Sequence, residues 1–290
     1  MANNNQDKDG AQQLRPVYIV TGATGAMGSV ISRQLAEQGK PLVLACRRAE
    51  RGKALAEELK SATGNADITC MHLDMGSFGG VREFVGGLKA LNRPVAALIN
   101  NAAVLTRTRE TSADGYERTV QVNFLSAALL ALMVEPLIVQ DGHIVLSTSH
   151  MRNFVTLPFE FPAVSAISRF MPLAVYAQSK LALTLFSIYL STTMRTKRIM
   201  VNMADPGLVN TGMLTMNRLF NRMAEHMATL IHNPENGAIS TMRALESKDT
   251  GFIFKGVENQ VKASTTLKSR EVFIKLCNDT MRLMKKEMAK

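Results

Sequence analysis

Residues 17–28 read VYIVTGATGAMG, a short apolar run followed at once by a glycine-rich turn. The next residues, Val30 to Gly39, carry apolar side chains at helical spacing and end in glycine, which predicts a helix. A glycine-rich turn between a strand and a helix brings backbone N–H groups close enough to bind a pyrophosphate. The same spacing also fits a tight turn without a ligand. Because the turn follows the first strand, we favour a dinucleotide-binding turn formed by Gly22, Thr24, Gly25, Ala26, Met27 and Gly28.

Five further apolar runs follow this turn, and helical patterns separate them. The runs are Pro41–Cys46, Ile68–Leu73, Val95–Ile99, Gly142–Ser147 and Ile199–Met203. Strands that are apolar along their length and alternate with helices predict an α/β fold, a doubly wound parallel sheet of Rossmann type with helices on both faces. No linker and no change of composition occurs before residue 207. We therefore expect residues 1–15 to be a disordered tail and residues 16–290 to form a single domain.

Composition and charge narrow the classes of function. Of 290 residues, 46% are apolar and 20% are charged, which is enough to bury a large core. No apolar run approaches the roughly 18 residues that span a bilayer, and the N-terminus lacks the apolar stretch of a signal peptide. The three cysteines lack metal-ligand spacing, so we expect a reduced, cytoplasmic protein without a transmembrane segment or a metal site. The net charge of +10 is not concentrated in blocks, which favours an anionic ligand over nucleic acid.

The end of the second predicted strand indicates which dinucleotide binds. In this fold the position meets the adenosine ribose, where a carboxylate would accept hydrogen bonds from the 2′-hydroxyl. The chain has Arg47 and Arg48 there instead. Two guanidinium groups can form bidentate contacts with a 2′-phosphate. The sequence therefore favours NADP(H) over NAD(H), although two solvated arginines at the start of the next helix would give the same pattern.

Tyr176 and Lys180 form the candidate catalytic pair. Residues four apart on a helix lie on the same face. The ammonium would favour the phenolate and lower the tyrosine pKa from about 10 toward the working pH. Such a tyrosine can exchange a proton with a carbonyl or alcohol oxygen. Taken alone, the spacing also fits an exposed helix with an aliphatic contact.

Further polar motifs follow the predicted strands in order. They are Asp74-Met75, Asn100-Asn101-Ala102-Ala103, Ser149 and Pro206-Gly-Leu-Val-Asn-Thr211, with Asn123 in a long helix. Together with the glycine-rich turn and the Tyr176 and Lys180 pair, they resemble the short-chain dehydrogenase/reductase family over residues 16–240. The stretches Ala45-Cys46-Arg47 and Asp114-Gly115-Tyr116-Glu117 look most like its retinol-dehydrogenase-like and protochlorophyllide-reductase-like branch. Ala26 and Ala103 stand where the family has glycine, and neither change removes a reacting group.

The resemblance implies a role for each matching residue. Tyr176 would be the general acid/base, Lys180 would lower its pKa and hold the nicotinamide ribose, and Asn123 would anchor a water linking Lys180 to solvent. Ser149 would bind the substrate oxygen. It is chosen over the adjacent Ser147 because it aligns with the second serine of the family's pair. The remaining implied NADP contacts are Asp74 and Met75 at the adenine, Asn101 and Ala102 after the fourth strand, and Pro206, Gly207, Val209 and Thr211 at the nicotinamide.

Two apolar segments, near residues 151–175 and 212–235, are candidate walls or lids of a substrate pocket. A packed surface insertion, an oligomer contact or an ordinary amphipathic helix would explain them as well. The expected activity is hydride transfer with an apolar carbonyl or alcohol, such as an aldehyde, ketone, steroid or retinoid-like molecule. The resemblance also implies a homodimer or homotetramer that pairs through the long helices containing Asn123 and Tyr176. Two alternatives stay open: a non-catalytic nucleotide sensor, and a sugar-nucleotide epimerase or dehydratase, which the glycine spacing also fits.

Overall fold

The computed structural model describes residues 14–155, 170–209, 231–256, 259–264 and 269–290. Strands and helices alternate strictly up to residue 100. In chain order they are β1 (Val17–Thr21), α1 (Ala26–Glu37), β2 (Leu42–Cys46), α2 (Ala49–Thr63), β3 (Ile68–His72), α3 (Phe78–Ala90) and β4 (Val95–Asn100). The long helix α4 follows, built from Arg118–Val120, the π-helical turn Gln121–Leu125 and Ser126–Val134.

The second half of the chain adds the rest of the sheet and three more helices among the described residues. In chain order they are β5 (Ile138–Ser147), α5 (Pro172–Thr193), β6 (Met200–Asp205), β7 (Leu208–Val209), β8 (Ile231–His232), α6 (Pro234–Glu246), β9 (Phe252–Lys255), β10 (Asn259–Lys262) and α7 (Arg270–Met288). Short 3₁₀ turns lie at Glu135–Leu137, His150–Phe154 and Met194–Lys197. The strands β7 and β8 pair with each other in a small parallel sheet.

The main sheet has eight strands in the order β10-β9-β6-β5-β4-β1-β2-β3. All neighbours are parallel except β10, which runs antiparallel to β9. The strand order reverses between β1 and β4, and in such sheets the crevice at that point is where ligands bind. The predicted α/β fold is confirmed. The antiparallel edge was not predicted, and it follows from a connection of three residues, 256–258, which is too short for a parallel crossover.

Two apolar cores lie on opposite faces of this sheet. Successive strand residues alternate between them, so that Ile19 joins the first and Val20 the second. The first core lies under α3, α4, α5 and α7, and Phe124 and Phe186 meet in it edge to face with ring centroids 6.0 Å apart. The second core lies under α1, α2 and α6. The sheet is therefore covered on both sides, and its carboxyl edge is free to form a site.

The C-terminal helix α7 belongs to the first core. Leu276 and Met284 are buried there, and its Glu287 forms an ion pair with Arg82 of α3. The core that α7 joins contains most of the apolar side chains of α4 and α5, the helices expected to pair subunits. Most of the surface proposed for pairing is therefore buried within one chain. The homo-oligomer stays a prediction.

Two element boundaries lie near the site, and the start of β5 differs from the predicted one. β5 begins at Ile138, four residues before the predicted Gly142, and its pairing with β4 is irregular between Val95 and Ala97. α5 begins at Pro172, so Tyr176 lies in its second turn. Proline suits the first turn of a helix because its φ is fixed and its missing N–H would have no partner there.

Candidate active site

The glycine-rich turn closes β1 onto the N-terminus of α1. Gly22 has a φ of +63°, a conformation that glycine adopts without strain. A Cβ at position 28 would lie 2.1 Å from the carbonyl oxygen of Gly22, so α1 can start this close to the turn only with glycine there. Gly25 is the N-cap of α1, and no side chain caps the helix. The first N–H groups of α1 are thus left for another acceptor, and the helix dipole favours an anion.

A cavity of about 600 Å³ extends along the carboxyl ends of the strands, from the end of β3 to the start of α5. Most of the predicted cofactor residues line it: Gly22, Thr24, Gly25, Ala26, Met27, Gly28, Arg47, Arg48, Asp74, Met75, Asn101, Ala102, Tyr176, Lys180 and Pro206. Gly207 is described but does not line the cavity. Val209 lies in β7, and Thr211 lies outside the described residues, as do most of the two candidate lid segments.

Arginines gather at the end of the cavity where the adenosine is expected. Arg47 and Arg48 follow β2, and Arg51 in the first turn of α2 lines the same wall. Sequence reasoning missed Arg51, although its spacing of four from Arg47 is a usable signal. The nearest carboxylate lining the cavity is that of Asp74 after β3, whose Oδ1 accepts a hydrogen bond of 2.8 Å from the backbone N–H of Gly76. This end therefore offers cations rather than a carboxylate at the tip of β2.

Thr21 ties the ends of β1 and β4 together in the middle of the site. Its Oγ1 accepts hydrogen bonds from the backbone N–H groups of Asn101 and Ala102, both at 2.9 Å. The side-chain amide of Asn101 donates back to the carbonyl oxygen of Thr21 at 3.0 Å. Asn101 and Ala102 are thereby held against the glycine-rich turn. Thr21 was noted in the sequence only as part of the motif, and its role as an acceptor emerges from the strand pairing.

Tyr176 and Lys180 line the other end of the cavity, and the side chain of Ser149, which is not itself a lining residue, lies close enough to the Tyr176 phenol to affect its pKa. Tyr176 is on α5, and Ser149 is the N-cap of the 3₁₀ turn after β5. Lys180 is one turn further along α5, 2% exposed, with its Nζ 5.7 Å from the centre of the Tyr176 ring. The fold thus brings these three predicted residues together. His150, the next residue after Ser149, is exposed and contacts Asn153 and Phe154 instead.

The acid–base properties of this pair differ from the sequence expectation. Burial raises the pKa of Tyr176 to about 12, opposed by the hydrogen bond with Ser149 and reinforced by the negative charge of Asp205. Burial lowers the pKa of Lys180 to about 8, and Asp205 opposes that change. The predicted fall in the tyrosine pKa is therefore wrong for the site without cofactor. Loss of water around both groups outweighs their mutual effect.

Asn123 lies in the π-helical turn of α4, an irregularity often found at functional positions. Its Oδ1 accepts a hydrogen bond of 2.8 Å from the backbone N–H of Val104, and its Nδ2 donates to the carbonyl oxygen of Val104 and to Ser179 Oγ. These bonds fix the loop after β4 to α4 and α5. Asn123 therefore contacts α5, the helix of Tyr176 and Lys180, and its predicted role in holding a water stays a prediction.

The residues present fit a dinucleotide along the whole cavity. Cationic side chains occupy the adenosine end, and an uncapped helix N-terminus faces the middle. At the far end the hydroxyl oxygen of Ser147 is buried without a hydrogen-bond partner among the described residues, and it lines the same cavity. An extended ligand with anionic groups in its centre and polar groups at its end would satisfy all three. This fold and site define a dinucleotide-dependent oxidoreductase.

Comparison with known proteins gives the same class. Residues 22–245 match the family described as Enoyl-(Acyl carrier protein) reductase. The polyprenol dehydrogenase of Mus musculus is 30% identical over 282 residues, which cover 92% of this chain and 83% of that protein. Retinol dehydrogenase 13 of Homo sapiens is 32% identical over 195 residues, which cover 67% of this chain and 59% of that protein. The chain belongs to the short-chain dehydrogenase/reductase family, whose members use a nicotinamide cofactor, and to its retinol-dehydrogenase-like branch.

Solved structures share the fold at low sequence identity. An uncharacterised protein of Mycobacterium paratuberculosis superposes with a TM-score of 0.74 and 23% identity, covering 93% of each chain. A short-chain dehydrogenase of Sphingobium yanoikuyae, in complex with NADPH, superposes with a TM-score of 0.63 and 22% identity. The superposed region covers 93% of this chain and 95% of the Sphingobium chain. These likenesses confirm the α/β architecture.

The expected cytoplasmic location is wrong. The curated relatives are named for polyprenol and retinol, which are apolar alcohols that partition into membranes. Two helices, Arg118–Leu137 and Pro172–Thr193, also have the length and hydropathy of a membrane span, with mean hydropathies of 1.6 and 1.3. In each helix, 72% of the most apolar 18-residue stretch is buried inside the fold, as in a core helix. Polar residues such as Gln121, Asn123 and Lys180 interrupt both helices, so neither forms an uninterrupted apolar run in the sequence.

Proposed function

We propose that this chain is an NADP(H)-dependent oxidoreductase that interconverts a long apolar alcohol and its carbonyl compound. The observation that carries the proposal is that Tyr176 and Lys180 line the end of a cavity suited to a dinucleotide, with Ser149 beside the Tyr176 phenol. When bound, the nicotinamide would supply or accept the hydride. The protein would supply the proton, the position of the substrate oxygen and the charge around it.

Each of the three side chains has a distinct part in this proposal. Tyr176 gives a proton to the carbonyl oxygen in reduction and takes it from the alcohol in oxidation. Ser149, beside the phenol, donates a hydrogen bond to the same substrate oxygen and stabilises charge that develops there. Lys180 has its amino group bound to the carbonyl oxygen of Ser147 at 2.7 Å and would hold the nicotinamide ribose. Its positive charge favours the phenolate when oxidation requires it.

NADP(H) is the proposed cofactor because of the arginines. Arg47, Arg48 and Arg51 line the adenosine end, and a carboxylate is absent from the end of β2 at Cys46. Guanidinium groups bind a phosphate in bidentate fashion, whereas the 2′-hydroxyl of NAD(H) would leave them with uncompensated charge. The Sphingobium relative in complex with NADPH is consistent with this choice.

The substrate class is proposed from the relatives and from exposed apolar side chains that lie near Ser149 and Tyr176 in the chain. Polyprenol and retinol are the alcohols named for the curated relatives. Phe154, at the end of the 3₁₀ turn that starts after Ser149, is 57% exposed, and Met171, just before α5, is 45% exposed. Exposed apolar side chains beside a site indicate an apolar ligand or surface. A long apolar alcohol would contact them while its hydroxyl reaches Tyr176.

The test offers the protein a panel of apolar aldehydes, from retinal to isoprenoid aldehydes of increasing length. The oxidation of NADPH measures the reduction of each aldehyde. The wild type should reduce at least one of them, and Tyr176→Phe should lose most of this activity while it still binds NADPH. Binding of NADPH without turnover of any carbonyl would point to the nucleotide sensor. NAD that stays bound through purification, with no free exchange, would point to the epimerase or dehydratase class.

A further inference from the structure

Two oppositely charged side chains are buried beside the candidate active site. Arg152 lies in the 3₁₀ turn, three residues beyond Ser149, and Asp205 is the last residue of β6. Their exposed fractions are 4% and 2%. The Arg152 Nη1 donates a hydrogen bond of 2.5 Å to the Asp205 Oδ2. Neither was a candidate from the sequence, and neither lines the cavity.

Stability is a weak reason for such a pair. Removing two charges from water costs several kcal/mol per ion, and apolar residues of similar volume often replace a buried pair without loss of stability. The Arg152 Nε has no hydrogen-bond partner within the described ranges, so the guanidinium is not even fully satisfied. The contacts that the pair makes with neighbouring residues explain its presence better than stability does.

The pair links β6 to the backbone of the candidate catalytic serine. The Arg152 Nη1 that binds Asp205 also donates to the carbonyl oxygen of Ser149 at 2.7 Å, and the backbone N–H of Arg152 donates to the same oxygen at 3.1 Å. The other carboxylate oxygen of Asp205 accepts from the backbone N–H of Gly207 at 3.2 Å. Asp205 is therefore fixed by β6 and by its bond to the Gly207 N–H. Asp205 in turn fixes Arg152, and Arg152 fixes the backbone of Ser149.

We propose that Arg152 and Asp205 are positioning residues that set the place of the Ser149 hydroxyl relative to Tyr176. Ser149 follows the end of β5, where the strand ladder no longer restrains the chain. A displacement of a reacting group by about 1 Å can cost about a hundredfold in rate. This inference rests on the proposed function, because it needs Ser149 to bind the substrate oxygen.

The charge of Asp205 acts on the site as well, and a useful experiment must separate the two effects. That carboxylate raises the pKa of both Tyr176 and Lys180. A loss of activity caused only by this charge would persist when Ser149 is absent. A loss caused by a misplaced serine would vanish in the same background, since there is no hydroxyl left to misplace.

The experiment is a mutant cycle between the pair and the serine. Arg152→Met with Asp205→Asn removes both charges and keeps an oxygen for the Gly207 N–H. Ser149→Ala alone should lower kcat on the order of a hundredfold. The pair variant, Arg152→Met with Asp205→Asn, should lower kcat roughly ten- to a hundredfold. The triple variant should fall no more than about threefold below Ser149→Ala. The pair variant should keep its Tm within about 4 °C and its Kd for NADPH, read by fluorescence, within about threefold.

Matched variants make each result decisive. Arg82→Met with Glu287→Gln removes the remote ion pair between α3 and α7 and should leave kcat unchanged. Arg152→Lys, which keeps the charge, is the second probe and should show a smaller loss with the same non-additivity.

Losses that multiply in the triple variant, an unchanged kcat in a folded pair variant, or unfolding of both Arg152 variants would each overturn the positioning role. An inactive wild type with every aldehyde would instead refute the proposed function itself. That outcome is distinguishable, because it appears before any variant is compared.

Discussion

The Nζ of Lys180 donates a hydrogen bond of 2.7 Å to the carbonyl oxygen of Ser147, the last residue of β5. This bond joins the helix that carries Tyr176 to the strand that leads to Ser149. Lys180, a candidate catalytic residue, thus also has a structural role, and the free-energy cost of burying its amino group should be measurable.

Lys180 should make the stability of the fold depend on pH. Its pKa is lowered to about 8 from the ordinary value of 10.5, so between these values the unfolded chain binds more protons than the folded one. The contribution of Lys180 to the free energy of unfolding should therefore rise with pH from about 8 to about 10.5, by up to about 1.4 kcal/mol per pKa unit of difference. Lys180→Met should lack this rise.

Denaturant unfolding of wild type and Lys180→Met at several pH values between 7 and 10.5 checks this. Lys53→Met, on the exposed side of α2, is the control for loss of an exposed lysine. Parallel stability curves for wild type and Lys180→Met would show that the amino group is hydrated in solution, contrary to its burial here.

Tyr176→Phe should abolish most turnover without weakening the binding of NADPH. Loss of a positioned acid or base typically costs about a hundred- to ten-thousandfold in rate. Because burial raises the pKa of the phenol to about 12, the protonated form dominates at neutral pH. Aldehyde reduction, which needs the phenol, should vary little from pH 6 to 8, whereas alcohol oxidation should increase as the pH rises. Steady-state kinetics in both directions decide this, and a pH-independent oxidation would contradict it.

Arg47→Ala should weaken the binding of NADPH more than the binding of NADH. A charge-assisted hydrogen bond to a phosphate contributes about 1.5–3 kcal/mol, so the KM for NADPH should rise roughly ten- to a hundredfold. NADH lacks the 2′-phosphate, and its KM should change little. Arg33→Ala on α1, an exposed arginine paired with Glu58, is the matched control and should affect neither cofactor. Equal increases for NADPH and NADH would refute the assignment of the arginines to the 2′-phosphate.

Two glycine substitutions should act in opposite directions. In Gly28→Ala the new methyl group would lie 2.1 Å from the Gly22 carbonyl oxygen, so the turn or α1 must shift, and we expect a loss of about 1–3 kcal/mol or more. In Gly86→Ala, within α3, no heavy atom lies within 4 Å of the added Cβ, and a gain of about 0.4–1 kcal/mol is expected. Thermal unfolding of both variants tests this, and a neutral Gly28→Ala would show that the turn is less tight than described.

Much of the fold could be predicted because its signals are local. The apolar runs that became β1 to β6 and the helical spacing between them are readable from neighbouring residues. The antiparallel β10 was missed because its sequence, Asn259–Lys262, is polar and exposed at the sheet edge, with no alternation to indicate a strand.

The site was predictable to the extent that its residues fall in short motifs. Gly22 to Gly28, Arg47, Tyr176 and Lys180 line one cavity, as expected for residues that end parallel strands or begin helices. The pKa of Tyr176 was predicted in the wrong direction, since spacing shows which charges are near but not how much water remains. Arg51 and the pair of Arg152 and Asp205 were missed for a related reason. They become neighbours of the site only when separate elements pack together.

By itself, the amino-acid sequence determined which segments form strands and helices and which residue types are available for hydride-transfer chemistry, because both depend on the covalent order of neighbours. The tertiary structure alone decided which of those groups are dehydrated, which charges face one another and how the serine is held. Those properties depend on atoms far apart in the chain: Arg152 and Asp205 are 53 positions apart in the chain, and their side chains meet at 2.5 Å.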